Sequence, residues 1–256
     1  MRSYAQYCPV AKATEILGER WTLLIVRELL GGASGFNELQ RGLPGISRSV
    51  LAQRLRELER AEIVRRRTGP KGRTLAYRLT PAGRDLVSVV QAVGEWGASW
   101  AFTDPLPDEL DPDLLVVWMA RHVDRGRLPE GKTVLQFDFK APDRRYWMVL
   151  EPEEVSVCLQ HPGFDVDLQV RVDTATLYRI YLGRADLGGA MKAGKLTLDG
   201  PAQHREAFGR WFTMSLFAPA SRAAENRRTN ARRLPQPEGV AIIESRSALP
   251  GVRESG

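Results

Sequence analysis

The chain is poor in cysteine and has no long apolar run. Its 256 residues include two cysteines, Cys8 and Cys158, in unlike contexts. Such a pair argues against a structural disulfide and provides no metal-binding set. No stretch approaches the roughly 18 uncharged apolar residues that a membrane-spanning helix needs. Arg2, Lys12 and Glu15 interrupt any secretion-signal core. We therefore expect a cytoplasmic protein without a membrane partner.

The sequence also lacks the motifs of common enzyme and cofactor sites. It contains no G-x-S-x-G, P-loop or G-x-G-x-x-G segment. Its three histidines, His122, His161 and His204, have no zinc-type spacing. The acidic residues of the predicted strands alternate outward and are typical of a solvated face. The sequence therefore predicts a protein that is not an enzyme and that holds neither a metal nor a cofactor.

Charge is distributed unevenly along the chain, whose net charge is +6. Residues 1–100 hold 16 Lys and Arg against 9 Asp and Glu, whereas residues 101–220 hold 14 against 18. Residues 221–256 are again basic, with 7 against 4. A basic first segment followed by an acidic one indicates that only the first meets a polyanion such as nucleic acid.

Two changes of composition divide the chain. Residues 104–113 contain three prolines and five acids, which exclude a continuous helix and are typical of a linker. After Pro219 the sequence is rich in arginine with few large apolar residues, although residues 240–243 could add one short strand. The predicted parts are an N-terminal domain over 1–103, a linker over 104–113, a second domain over 108–218 and a largely disordered tail over 219–256.

The N-terminal domain has the element order of a winged helix-turn-helix. Apolar spacing predicts helices over residues 9–17, 21–30, 36–42 and 48–61, and Ser47 is a good N-cap for the fourth. Strands at 64–68 and 74–80 flank a turn and predict a ribbon with a basic tip, followed by a long helix over 82–100. In such a domain the fourth helix enters the major groove of double-stranded DNA and the ribbon lies along the backbone.

Helical spacing sorts the side chains of the fourth helix. At about 100° per residue, a leucine stripe faces the core and Gln53 and Arg56 face outward. Glutamine can read adenine and arginine can read guanine, whereas Arg48 and Arg54 flank this face and are expected on phosphates. The predicted DNA-binding residues are Ser47, Arg48, Ser49, Gln53, Arg54 and Arg56 of the helix and Arg65, Arg66, Arg67, Lys71 and Arg73 of the ribbon. The alternative is a solvated basic surface without a partner.

The long helix over 82–100 carries an apolar stripe of Leu86, Val90, Val93, Gly97 and Trp100. Their spacings of four, three, four and three residues form a seam for another helix. That helix belongs either to a second copy of the chain or to the same subunit, and the spacing alone leaves both open.

The second domain is predicted to be α+β with a mostly antiparallel sheet. Period-two alternation marks strands near residues 135–139, 145–150, 155–159 and 166–172, between a helix capped by Asp111 and a final helix over 201–217. The apolar sheet face and the final helix enclose either a packed core or a lipophilic cavity. The candidate residues for an apolar ligand are Phe137, Phe139, Trp147, Trp211 and Met214.

Several N-terminal motifs resemble those of HxlR-type transcriptional regulators over about residues 4–102. The motifs are Tyr7-Cys8-Pro9-Val10, residues 16–22, Phe36-Asn37-Glu38-Leu39, residues 43–47, 51–58 and 77–83. The resemblance implies a homodimeric bacterial regulator with a winged helix in each subunit, responding to reactive electrophiles, oxidants or metabolites. Cys8 aligns with the cysteine that redox-responding members use, and a small apolar cap is its alternative role.

Residues 110–218 resemble the SCP2-like sterol-carrier fold. Residues 177–186 and 191–200 carry this resemblance, which implies a hydrophobic tunnel for a lipid or acyl chain. The leading hypothesis is therefore a homodimeric, DNA-binding transcriptional regulator whose second domain binds a lipid or other apolar small molecule. The alternative hypothesis is a lipid carrier or scaffold whose winged helix mediates protein contacts.

Overall fold

A computed structural model of the chain describes residues 3–69, 74–140 and 142–233. Its N-terminal domain follows the predicted order of helices and ribbon. The elements are α1 (Pro9–Leu17), α2 (Thr22–Leu30), α3 (Phe36–Arg41), α4 (Arg48–Arg60), β1 (Val64–Thr68), β2 (Thr74–Leu79), α5 (Pro81–Asp85) and α6 (Val87–Trp96). A turn of π-helix, Gly97–Ala101, continues α6. The predicted winged helix-turn-helix is confirmed.

Local sequence signals account for the helix bounds of this domain. Pro9 occupies the first turn of α1, and Gly18 ends that helix. The Ser47 hydroxyl accepts a hydrogen bond from the Val50 amide at 3.3 Å and so caps α4. The predicted single helix over 82–100 is divided at Leu86, which lies between α5 and α6.

The second domain is a five-stranded sheet covered by helices. The elements are α7 (Pro112–Arg121), β3 (Thr133–Lys140), β4 (Asp143–Leu150), β5 (Val155–Cys158), β6 (Leu168–Val172), α8 (Thr174–Tyr181), α9 (Leu187–Lys192), β7 (Leu196–Asp199), α10 (Ala202–Trp211) and α11 (Ala218–Arg233). The strand order is β5-β4-β3-β6-β7. The mostly antiparallel prediction is confirmed, with one exception: β3 and β6 run parallel.

The predicted final helix over 201–217 is wrong beyond Trp211. The Asp124 amide donates to the Trp211 carbonyl at 2.8 Å, and the Thr213 amide donates to the His122 carbonyl at 2.8 Å. Phe212 pairs with Val123 in an antiparallel bridge. These bonds hold the chain extended where helical periodicity alone would continue α10.

The predicted disordered tail is wrong over its first part, because α11 occupies residues 218–233. Its packed face is built from small side chains, Ala218, Ser221 and Ala224, which are buried. A stripe of small residues adds little to the hydropathy of a segment. The many arginines of this segment therefore favoured a prediction of disorder over a packed helix. Residues 234–256, including the strand considered at 240–243, lie outside the described residues.

The two domains are in contact. Gly94 of α6 lies so close to the ring of Phe217, which precedes α11, that a Cβ atom at position 94 would overlap the ring. The Arg184 guanidinium donates to the Thr103 carbonyl at 2.6 Å and to Asp104 Oδ1 at 3.2 Å, and so ties the start of the predicted linker to the second domain. Among the described ranges, no helix is long and apolar enough to cross a membrane.

Candidate nucleic-acid interface and ligand groove

The two faces of α4 separate core packing from exposed polar chemistry. Leu51, Leu55 and Leu58 are buried in the N-terminal core. On the opposite face Gln53 and Arg56 are exposed, as are Ser49 and Arg60. The helical spacing of the sequence therefore places the expected base-reading residues outward.

Gln53 and Arg56 differ in how they are held. The Gln53 amide donates to Glu57 Oε1 at 3.0 Å. Burial alone would raise the pKa of Glu57, but hydrogen bonds from Gln53 and Arg54 outweigh it and hold the pKa below its ordinary value. Arg56 forms no ion pair within the described part of the chain. Its guanidinium therefore extends from α4 without an intramolecular partner there.

Arg54 lies on the flank of α4 but is already engaged. Its Nη2 lies 2.8 Å from Glu19 Oε2, its Nη1 lies 2.5 Å from Glu57 Oε2, and its Nε donates to the Arg20 carbonyl at 3.2 Å. These bonds fasten α4 to the turn between α1 and α2. In this geometry Arg54 stabilises the position of α4 within the domain, whereas the sequence suggested that it contacts a phosphate.

Arg48, at the first position of α4, is oriented by α3. Its Nη1 donates to Asn37 Oδ1 at 3.2 Å and to Gln40 Oε1 at 3.0 Å. The guanidinium carbon lies 4.9 Å from the centre of the Phe36 ring. Because Arg48 remains exposed, α3 presents its charge at the N-terminal end of α4.

The ribbon carries a row of exposed cations. Arg65, Arg66 and Arg67 are exposed on β1, and Arg65 lies opposite Arg78 of β2 in the antiparallel register. Like charges directly opposite one another repel, and a bound polyanion would relieve that repulsion. Arg78 was missed by the sequence analysis, although the hairpin register could have indicated it. Two other predicted contacts, Lys71 and Arg73, lie outside the described residues.

Exposed apolar side chains lie at and next to α1 and α6, which both pack beside α2 and contain no buried residue. On α6, Val93 is 52% exposed and Trp96 is 63% exposed, and Trp100 of the π-helical turn is 68% exposed. We call this set the α1/α6 surface: Tyr7, Val10, Val89, Val93, Trp96 and Trp100. The predicted stripe is divided, because Leu86 and Val90 pack against the N-terminal core.

The five residues expected to contact an apolar ligand do not line one space. Phe137, Phe139 and Trp211 are buried in the same packed core, with the two phenylalanine ring centres 6.4 Å apart. Trp147 pairs in register with Gln136, next to Phe137, so side-chain alternation places it on the opposite sheet face. Met214 follows α10 and is exposed. The expectation of a shared cavity is therefore wrong for Trp147 and Met214.

A groove runs along α10 at the surface of the second domain. It encloses about 390 Å³. The buried Trp211 forms part of its lining, and the His204 ring packs edge-on against Trp211 with 5.7 Å between ring centres. The remaining lining residues are Arg127, Leu128, Pro129, Ala202, Gln203, Glu206, Ala207 and Arg210. The groove is thus lined by apolar side chains together with two arginines, a glutamate and a histidine.

The histidines and cysteines are dispersed. His122 Nδ1 lies 2.8 Å from the Trp118 carbonyl oxygen, and His161 Nδ1 accepts from the Gly163 amide at 3.1 Å. Across the described ranges, no three His, Cys, Asp or Glu side chains gather as a metal site. Cys8 and Cys158 are free thiols, and Cys8 is half-buried at the N-cap of α1. Redox sensing by Cys8 stays a prediction.

The sequence was compared with family models and with curated proteins. The HxlR-like helix-turn-helix model matches residues 16–104. The uncharacterized HTH-type transcriptional regulator YvaP of Bacillus subtilis (strain 168) is 37% identical over 98 residues, which cover 38% of this chain and 91% of YvaP. The chain belongs to the HxlR-like helix-turn-helix family. The model of the SCP-2 sterol transfer family matches residues 120–212, so this HxlR-like protein also contains an SCP2 domain.

A further relative, YodB, is named as a regulator and has a solved structure. The HTH-type transcriptional regulator YodB of Bacillus subtilis (strain 168) is 40% identical over 91 residues, covering 35% of this HxlR-like chain and 81% of YodB. A solved structure titled as the reduced form of YodB shares 37% identity, with a TM-score of 0.33, over 37% of this chain and 95% of that chain. The names of YvaP and the curated YodB show that relatives of this HxlR-like chain are bacterial transcriptional regulators.

Proposed function

We propose that this chain is a homodimeric transcriptional regulator that reads double-stranded DNA with α4. The outward face of α4 carries the proposal, because exposed Gln53 and Arg56 supply the side chains that pair with base edges in the major groove. Ser47, Ser49 and Arg48 extend that face toward the N-terminus of the helix. Such a regulator acts on the chromosome, so we place it in the bacterial cytoplasm.

The ribbon supplies affinity that does not depend on sequence. Arg65, Arg66 and Arg67 on β1, together with Arg78 on β2, form a cationic strip beside α4. Lysine and arginine that neutralise phosphates release condensed counterions, which makes binding salt-dependent. We assign Lys71 and Arg73 to the same role from their position at the ribbon tip.

The second copy of the chain is proposed to cover the α1/α6 surface. Val93, Trp96 and Trp100 lie exposed along one stretch of helix, and contiguous exposed apolar side chains mark interaction surfaces. Association of two identical helices at α6 would present two copies of α4 to one duplex. Two-fold symmetric regulators bind half-sites separated by about one helical turn or a multiple of it.

The SCP2 domain is proposed to bind an apolar effector in the groove along α10. A volume of about 390 Å³ lies within the range of small-molecule sites. The groove replaces the internal tunnel as the candidate site, since Phe137 and Phe139 pack against each other in the interior. Trp211 and Ala207 supply apolar contact in the groove, and Arg127 and Arg210 supply charge.

DNA recognition is tested by selecting a duplex from a random pool with the full-length chain. Fluorescence anisotropy then compares the selected duplex with a scrambled one over a salt series. We expect at least about a thousandfold preference for the selected duplex and a linear fall of log affinity with log salt. Equal affinity for both duplexes would refute base reading. Lipid binding without DNA binding would favour the lipid-carrier or scaffold alternative.

Effector binding is tested with a fluorescent fatty-acid analogue. Ala207→Leu fills the groove and should abolish probe binding, whereas Ala223→Leu, on the exposed face of α11, should bind as the wild type does. A wild-type chain that does not bind the probe would contradict the effector part of the proposal. The SCP2 domain would then have a structural role only.

A further inference from the structure

A buried ion cluster joins the two domains. Glu28 of α2 is 2% exposed, and its carboxylate bonds to two arginines. Arg27 Nη2 lies 2.8 Å from Glu28 Oε1, and Arg121 Nη1 lies 2.9 Å from Glu28 Oε2. Arg27 belongs to the helix-turn-helix domain, whereas Arg121 is the last residue of α7 in the second domain. A nearly buried carboxylate is therefore satisfied partly from the other domain.

Aromatic packing fixes the same junction. The Arg27 guanidinium carbon lies 5.2 Å from the centre of the Trp118 ring on α7. Trp118 in turn stacks on Tyr181 of α8, with ring centres 6.5 Å apart. Arg27 therefore contacts both the Glu28 carboxylate of its own domain and the Trp118 ring of the second domain.

The second domain also holds in place the backbone that follows Arg121. The residues directly after it, His122–Asp124, are bonded to the extended segment that follows α10. The Thr213 hydroxyl adds a further bond to the His122 carbonyl at 2.8 Å. The backbone that carries Arg121 is thus held by the end of the helix that lines the groove.

On the DNA-binding side the cluster reaches α3. Arg121 Nη2 lies 3.6 Å from Glu38 Oε1, and Glu38 Oε2 accepts from the Ser34 amide at 2.9 Å, at the start of α3. From the same short helix, Asn37 and Gln40 orient Arg48, the first residue of α4. One guanidinium from the second domain therefore contacts the helix that sets the N-terminal end of the DNA-reading helix.

We propose that Arg121 is a positioning residue through which the SCP2 domain sets the placement of α3 and α4 for base reading. The proposal rests on the proposed DNA-binding function and adds to it a defined point of contact between the domains. It follows that loss of the Arg121 guanidinium loosens α3 and reduces discrimination between DNA sequences, while the phosphate-contacting cations of the ribbon are unaffected.

The test uses the full chain with Arg121→Met, Arg121→Lys and the matched control Arg125→Met. Arg125 lies four residues further on and donates to the Glu153 carbonyl of its own domain at 2.8 Å, so the control removes the same charge from the same region. Coupling between sites commonly changes affinity by about 5-fold to 150-fold. We expect Arg121→Met to lose about 5-fold or more in affinity for the selected duplex relative to the control. Affinity for scrambled duplex should match the control, and Arg121→Lys should recover part of the loss.

Hydrogen exchange gives a second readout that does not depend on DNA. Amides of α3 and of the first turn of α4 should exchange faster in Arg121→Met than in Arg125→Met, while β3 and β4 remain unchanged. The positioning role would be overturned if the wild type prefers the selected duplex and Arg121→Met shows the same preference and the same amide exchange. That result would leave the proposed DNA binding in place. A wild-type chain that fails to discriminate would overturn both. If Arg121→Met does not fold, Arg121→Lys is compared in the same assays, and a Lys variant with the discrimination and exchange of the wild type would overturn the positioning role.

Discussion

Val93→Asp should separate the dimer without unfolding the subunit. Val93 is 52% exposed in the single chain, so the substitution should change the subunit's unfolding free energy by no more than about 0.5 kcal/mol. At the proposed interface it removes about half of a valine's burial, roughly 1 kcal/mol per copy, and introduces a carboxylate whose desolvation costs several kcal/mol. Because each dimer contains two copies, we expect a loss of at least about 4 kcal/mol, which is about a thousandfold in dimer Kd.

Sedimentation velocity over a range of concentrations measures this change directly. Leu159→Asp is the matched control, because Leu159 is 71% exposed and follows β5, away from the α1/α6 surface. The Val93 variant should sediment as a monomer and bind the selected duplex much more weakly, while the control remains dimeric. A Val93→Asp protein that dimerises as the wild type does would refute the assignment of the interface to α6.

Three further sets of substitutions test separate parts of the account. Arg56→Ala should reduce affinity for the selected duplex by about 1 to 3 kcal/mol at one base position. Arg66→Ala should reduce affinity for all duplexes alike and make log affinity fall less steeply with log salt. Anisotropy titrations that show the same pattern for both variants would contradict these roles. Gly94→Ala should destabilise the protein by about 1 to 3 kcal/mol, because its Cβ would overlap the Phe217 ring already packed there. Gly97→Ala should not, because a Cβ at that position meets no described residue within 4 Å, and denaturant unfolding compares the two variants. Burial would raise the pKa of Asp138, but hydrogen bonds from neighbouring side chains hold it below its ordinary value. The ionised Asp138 therefore stabilises the folded state at pH values above its unfolded pKa, and this stabilisation is lost as the pH falls through its lowered folded pKa. The difference in Tm between wild type and Asp138→Asn should accordingly disappear in acid.

Local signals made the DNA-binding helix predictable. Ser47 as a cap and the leucines of α4 at helical spacing act within one turn or one stripe, so the sequence alone determines that helix and its outward face. The same holds for period-two alternation in β3 and β5. Short-range periodicity decides which residues form an element and which face is buried.

Contacts between distant residues were not predictable. Arg54 pairs with Glu19, 35 positions away, and Arg121 pairs with Glu28, 93 positions away. Whether an exposed-looking arginine contacts phosphate or braces the fold depends on such partners, which no spacing rule identifies. Trp147 was misplaced for a related reason: its face follows from its register opposite Gln136, and register is a property of two strands.

Chemical footprinting of a selected duplex by the full-length chain tests the central claim most directly. Dimethyl sulfate methylates guanine N7 in the major groove and adenine N3 in the minor groove, so it distinguishes the groove that α4 occupies. The account predicts two segments of protected guanine N7, with centres about 10 base pairs or a multiple of that distance apart. Protection confined to adenine N3, or a single protected segment at saturating protein, would contradict a dimer that reads the major groove with α4.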